Sequence, residues 1–235
     1  MWTLAIDSSA ITASAALLKD GKITAMYTID NGLTHSQTLL PMIDHLIRTS
    51  GIDYNDIDYY VITSGPGSFT GVRIGISTVK GLAFSRGNRC IGVSTLEAMA
   101  AEVSKRLYIS EYVVFPVMDA RCSNVYNAAF AVKDKSITRM CEERAISIDE
   151  AVSFINENNE NGKTVVITGD GAKLFATLES ENVIIDSNIS IAYGAALCAM
   201  ERLDEAIDAN ELKPVYLRLP QAERERIEKS LEKNR

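Results

Sequence analysis

SGPGSFTGVRIG, Ser64 to Gly75, follows the apolar run Tyr59 to Thr63 and opens a pattern of Val72, Ile76, Val79, Leu82 and Ala83. The order reads as strand, glycine turn, helix. A helix start leaves backbone N–H groups unpaired and carries partial positive charge, so this turn could receive a phosphate or a carboxylate. The competing reading is a plain tight turn. Neither standard nucleotide loop fits. The P-loop needs Lys followed by Ser or Thr after its second glycine, where this chain has Val72 and Arg73. The dinucleotide fingerprint needs a different glycine spacing from that of Gly65, Gly67 and Gly71.

Gly67, Gly71 and Gly75 recur every four residues and stack on one side of the incoming helix. Gly71, Gly75 and Gly81 inside that helix cost about 0.8–1.0 kcal/mol each relative to Ala. Close packing on the glycine side must recover the loss. A sheet of the same chain or a helix of another subunit could supply it.

With 235 residues and 46% hydrophobic content, the chain can bury a full core as one large domain or two lobes. Cys90, Cys122, Cys141 and Cys198 form no CxxC pair, which points away from zinc and disulfide frameworks and toward reduced thiols. MWTLAID at the start has no basic leader, and the apolar run Ile191 to Met200 is too short for a membrane span. A cytoplasmic protein without a membrane partner is expected. The net charge of −7 opposes autonomous RNA binding. Between Asp58 and Glu97, however, the only charges are Arg73, Lys80, Arg86 and Arg89, a basic island suited to solvent or to an acidic partner surface.

Taken in order, Trp2 to Ile6, Thr12 to Leu18 and Lys22 to Thr28 read as three antiparallel strands, with Lys19-Asp20-Gly21 as a turn. Thr34 to Ser50 reads as a helix capped by Thr34 or Ser36 and ended by Gly51, with Pro41 tolerable only near its start. Leu39, Ile43 and Leu46 form one apolar stripe on it, and Leu40 and Ile47 a second. So wide an arc suits a helix buried between sheet and neighbour, or a subunit interface. A second glycine helix spans 69–85, then come a strand at Cys90 to Val93 and a helix from Thr95 to Leu107.

The second half restarts the programme. Val113 to Met118 ends at Asp119, as Leu4 to Ile6 ends at Asp7. Lys133-Asp134-Lys135 turns a second hairpin, Ser147 and Glu150 stand in capping-box positions before a helix, and Val166 to Thr168 runs into Gly169-Asp170-Gly171. Four echoes in the same order indicate an internal duplication. The expected fold is α/β: a duplicated, two-lobed, actin-like fold with RNase H-like lobes, as in sugar kinases and Hsp70. The lobes are 1–107 and 108–220, followed by a charged tail at 221–235. Ser190 to Ile207 reads as a buried helix and Pro214 to Arg218 as an extended segment. A nucleotide in the cleft between lobes would meet Asp7, Ser8, Ser9, Gly65 and Gly67 on one side and Asp119, Gly169 and Gly171 on the other.

LAIDSS at Leu4 to Ser9, the glycine stretch, GVSTLEAMA at Gly92 to Ala100, DAR at Asp119 to Arg121 with Val125-Tyr126 beyond, and PVYLR at Pro214 to Arg218 together resemble the TsaB family, also called YeaZ-like. The resemblance runs over nearly the whole chain. It implies a non-catalytic dimerisation subunit of the bacterial complex that installs threonylcarbamoyladenosine on tRNA, next to the anticodon. The implied partners are the catalytic TsaD subunit as a heterodimer and the ATPase TsaE. A homodimer is implied when the chain is alone, and tRNA only through the complex. The helices at 34–50 and 69–85 would pair with their TsaD counterparts, placing Leu39, Leu40, Ile43, Leu46, Ile47, Gly71, Arg73, Gly75 and Val79 at the interface. Where the catalytic relative has its two metal-binding histidines, this chain has Thr95 and Met99, so no metal is expected. No cofactor is required, although a nucleotide could sit in the cleft or at a subunit boundary. One departure is Asn124, where many members carry an acid before Val-Tyr.

Two rival readings stand beside this one. An independent actin-like ATPase or phosphotransferase would place phosphates at Asp7 and Ser8-Ser9 and magnesium at Asp119. A serine hydrolase would need a GxSxG that the chain lacks.

Overall fold

The computed structural model describes residues 1–160, 162–187 and 189–218. Its first half runs β1 (Trp2–Asp7), β2 (Ala13–Lys19), β3 (Lys22–Ile29), α1 (His35–Thr49), β4 (Ile57–Gly65), α2 (Phe69–Phe84), β5 (Arg89–Ser94) and α3 (Thr95–Arg106). Its second half runs β6 (Glu111–Arg121), β7 (Asn124–Lys133), β8 (Ser136–Ser147), α4 (Ile148–Glu160), β9 (Val165–Thr168), β10 (Val183–Asp186), α5 (Ile191–Met200) and the short β11 (Ile207–Asp208).

The two halves build sheets of the same strand order. One reads β3-β2-β1-β4-β5 and the other β8-β7-β6-β9-β10, with β11 added at the far edge of the first. In each, the hairpin strands pair antiparallel and the later strands join in parallel. The first hairpin turns on Asp20 and Gly21, the second on Asp134 and Lys135, and all four residues have positive φ. Two successive left-handed residues match the twist of the strands they join. The capping box predicted before α4 is formed: Ser147 N donates to Glu150 Oε2 at 2.8 Å and Glu150 N to Ser147 Oγ at 3.2 Å.

Three apolar clusters define five layers. α1 and α2 cover one face of the first sheet through Leu39, Ile43, Val72 and Val79, against Leu4, Ile6 and Ile62. α3 and α5 fill the space between the sheets, with Ala98, Met99, Ala195 and Ala196 meeting Val61 on one side and Val114 on the other. α4 and a short 3-10 helix, Ala172–Leu178, cover the outer face of the second sheet. The small residues are required at the centre. A Cβ on Gly194 of α5 would run into the Ala98 carbonyl oxygen of α3.

Three local expectations differ from what is observed. The helix expected through Ile207 stops at Met200, because IAYGAALCAM can be buried on nearly every side whereas Glu201, Arg202, Asp204 and Glu205 need water or a partner. The chain then turns back so that Ile207 and Asp208 pair with β5. Segment 191–212 therefore packs with the first sheet, although it follows the second in sequence. Pro214 to Arg218 crosses the surface as a loop, with Val215 N donating to Ser64 O at 2.7 Å. Thr34 occupies the N-cap of α1 without a side-chain capping bond, and Pro41 lies inside the helix on its exposed side. The charged tail at 221–235 lies outside the described residues.

Candidate functional site

The glycine helix is seated on its own chain. Gly71 and Gly75 are buried, and a Cβ on Gly71 would strike the Ser8 carbonyl oxygen. A Cβ on Gly75 would invade Ser8 Oγ, with Ile62 Cδ1 at 2.8 Å. The close approach that the glycine row requires is thus supplied by the end of β1 and by β4. The expectation that this row meets another subunit is corrected accordingly. Gly81 is different: it is exposed, with nothing within 4 Å of the position a Cβ would take.

The remaining expected interface residues divide by burial. Leu39, Ile43, Leu46, Ile47 and Val79 are at most 2% exposed and belong to the core beneath the helices. Ile47 therefore does not form an outer stripe with Leu40. Leu40, 50% exposed, and Arg73 face outward. They border a groove of about 540 Å³ between α1 and α2, whose walls include Phe69, Ile74 and Ser77. Leu33 and Phe84 are also exposed, at 56% and 76%. Periodicity could not single them out, because each stands at a helix end where the apolar repeat breaks off.

A second hollow of about 630 Å³ separates the loops after β1 and β4 from the end of β6 and Asp170. Ser9, Gly67 and Asp119 line it. Asp7, Ser8, Gly65, Gly169 and Gly171 stand behind its walls. Asp7 is fully buried. Its Oδ1 accepts from Ser9 Oγ at 2.5 Å, Thr63 Oγ1 at 2.5 Å and Ser9 N at 3.1 Å, while Oδ2 has no partner among the described residues. Burial raises its pKa against the pull of those donors. Its carboxylate holds the β1 loop in shape. Ser68 N donates to Ser9 O at 2.7 Å, so the two loops that would enclose a phosphate are joined to each other.

Asp119 accepts from Arg121 N at 2.8 Å and pairs with the Arg121 guanidinium at 3.4 Å. Arg121, Cys122 and Ser123 all have positive φ, a costly run for residues with side chains. Asn124 Nδ2 donates to Cys122 O at 2.6 Å and braces this turn. Sequence reasoning missed Asp170, Lys173, His35 and Arg218 on the cleft wall. Asp170 was legible as an acid between two glycines. Burial, aided by the Asp119 and Asp7 carboxylates, pushes it up to about 6.

Thr95 and Met99 are fully buried, with Met99 Sδ 3.0 Å from the Cβ position of Gly169. The two histidines are far apart in role. His35 Nε2 lies 2.9 Å from Ala10 O, and the His45 ring meets Tyr27 edge-on.

The segment after β11 ties the two sheets together. Val215 sits on the Ser64 carbonyl, where a Cβ on Gly65 would strike the Val215 carbonyl oxygen. Tyr216 stacks on Phe69 at 4.7 Å between ring centroids, and Arg218 donates to Ala120 O at 3.1 Å and to Arg121 O at 3.4 Å.

Two sheets of identical strand order around a central helix layer, with a cleft between their equivalent loops, define a protein of the actin-like and sugar-kinase-like class. Residues 31–224 match the family model described as TsaD: tRNA N6-adenosine threonylcarbamoyltransferase. The chain is 33% identical over 228 residues to the tRNA threonylcarbamoyladenosine biosynthesis protein TsaB of Haemophilus influenzae, covering 92% of each. It is 32% identical to the Escherichia coli TsaB, covering 93% of this chain and 95% of that one. The solved structure of YeaZ from Pseudomonas aeruginosa superposes with a TM-score of 0.75 at 26% identity, over 92% of this chain and 99% of that one. The chain belongs to the TsaB, or YeaZ-like, family.

Proposed function

We propose that this chain is the dimerisation subunit that binds a TsaD-type catalytic subunit, which transfers a threonylcarbamoyl group to the N6 amine of the tRNA adenosine next to the anticodon. The observation that carries the reading is the outer face of α1 and α2. There Leu40 borders a groove, Phe84 is exposed at the end of α2, and Gly81 leaves the last turns of that helix bare. An exposed glycine inside a helix costs about 1 kcal/mol relative to Ala. Close approach of another helix would recover it. Membership of a family named for tRNA threonylcarbamoyladenosine biosynthesis supports a TsaD-type subunit as that partner.

In this reading the chain contributes no reacting group and needs no cofactor of its own. Thr95 and Met99 offer no imidazole, and the β1 loop that a phosphotransferase would turn toward its nucleotide is instead bonded to the glycine turn through Ser9 and Ser68. A net charge of −7 leaves tRNA to be met through the assembly. The same face closes a homodimer when the catalytic subunit is absent, and a TsaE-type ATPase joins the assembled pair in the cytoplasm.

Light scattering after size exclusion, with and without the TsaD-type subunit of the same organism, tests this. The wild type forms a one-to-one complex. A Leu40→Glu, Phe84→Glu double variant, changed only at exposed positions, stays folded and does not. Equal complex formation by the two would remove the α1–α2 face from the reading, and a wild type that ignores the subunit would remove the function itself.

A further inference from the structure

Phe69 and Arg73 stand one turn apart on α2, and the Arg73 guanidinium carbon lies 3.8 Å from the Phe69 ring centroid. Tyr216, distant in sequence, stacks on that same ring, and its hydroxyl oxygen accepts from Arg73 Nε at 2.7 Å. The segment that brings Tyr216 there is itself anchored, through Val215 N to Ser64 O. An exposed arginine ordinarily keeps its side-chain freedom. Here the guanidinium plane is fixed by a ring contact and a hydrogen bond on its inner edge.

Among the described residues the outer edge remains available. Arg73 makes no ion pair among the described residues, and no acid occurs in the sequence between Asp58 and Glu97. Arg73 lines the groove between α1 and α2 together with Leu40 and Ile74. A planar guanidinium with its inner nitrogen already occupied presents a two-pronged donor fork, a match for a carboxylate.

We propose that Arg73 is the specificity-determining receptor of the docking face, and that the partner inserts one Asp or Glu side chain, carried on an apolar helix, onto this fork. The inference rests on the TsaD-type subunit being the occupant of the groove. The apolar walls favour a protein carboxylate over a nucleic-acid phosphate. A second copy of this chain is a poorer donor, since the acid in the Ser36, Leu40, Asp44 row of α1 already pairs with Arg48 at 2.9 Å. Phe69 and Tyr216 act as positioning residues, holding the fork ready so that little ordering remains to be done on binding.

Calorimetric titration of the TsaD-type subunit into wild type, Arg73→Met, Arg73→Lys and Tyr216→Phe at low and high salt tests the assignment. Arg73→Met is expected to weaken binding by about tenfold or more, as loss of an interface arginine does. It should also abolish most of the salt dependence. Arg73→Lys restores less than half of the loss in binding free energy, because a point charge cannot fork. Tyr216→Phe keeps the stack and weakens binding about three- to tenfold through lost preorganisation. Thermal midpoints of the variants should match the wild type.

If wild type binds and Arg73→Met binds equally well, the receptor assignment falls while the docking subunit reading stands. If wild type does not bind, both fall. Loss of tRNA binding by the complex with subunit affinity untouched would reassign Arg73 to a phosphate and overturn the proposal. So would an Arg73→Met variant that loses self-association while keeping its affinity for the subunit.

Discussion

The Ser8 hydroxyl donates to the Gly71 carbonyl oxygen at 2.9 Å from a position that a side chain on Gly75 would invade. One serine at the end of β1 therefore sets how closely the glycine helix lies on its sheet.

Gly75→Ala is expected to destabilise the fold by roughly 1–3 kcal/mol, because Ser8 and Ile62 cannot both retreat from a well-packed layer. Gly81→Ala on the same helix has the opposite sign. With open space around it, the change should stabilise by about 0.5–1 kcal/mol through helix propensity. Urea unfolding of the two variants reads both signs directly. It also separates the intramolecular glycine from the exposed one, since on the proposed docking face Gly81→Ala should weaken complex formation while raising stability.

Leu39 and Leu40 are neighbours in sequence with opposite fates. Leu39→Ala empties a core position and should cost about 2–5 kcal/mol. Leu40→Ala should change stability by no more than about 0.5 kcal/mol, as for most surface substitutions. Differential scanning calorimetry checks the contrast.

Burial pushes the Asp170 carboxyl from its ordinary 3.8 up to about 6. A carboxyl whose folded pKa is raised binds protons in the folded state that the unfolded chain has released. Its contribution to stability is thus greatest below its unfolded pKa and falls as pH rises to about 6. Asp170→Asn removes that penalty. The variant should gain on the wild type between about pH 4 and pH 6 and hold a constant advantage of about 1–3 kcal/mol above. Denaturation midpoints across that pH range decide it.

Thr63 supplies one of three donors to the buried Asp7 oxygen. Thr63→Val preserves shape and removes the donor, and should cost roughly 1–3 kcal/mol, as for a buried polar group left short of a partner. Chemical denaturation at neutral pH measures it. A cost near zero would mean that the Thr63 bond adds nothing net to stability.

Much of the architecture was readable before any coordinates. The turns at Asp20-Gly21 and Asp134-Lys135 and the Ser147–Glu150 cap are local matters, decided by residues a few positions apart, whereas β6 runs past the expected end at Asp119 to Arg121. Their repetition in order was enough to expect two like sheets. The site was less legible. Leu39 and Leu40 are equally apolar, and Gly75 and Gly81 equally bare, so composition could not say which of each pair faces the core. Arg73 was visible only as a charge in a basic island. The tyrosine that orients it lies 143 positions further on.

What the chain by itself determined is most of the elements, their duplication and the family, because helix period, strand alternation, turn residues and motif spacing are properties of neighbours in sequence. What only the tertiary structure decided is which surface is left over. Gly71 and Gly75 are used up against Ser8 and Ile62, and α5 is recruited back to the first sheet. Leu40, Gly81 and Arg73 remain outward, because packing spends the opposite face of each helix on the first sheet.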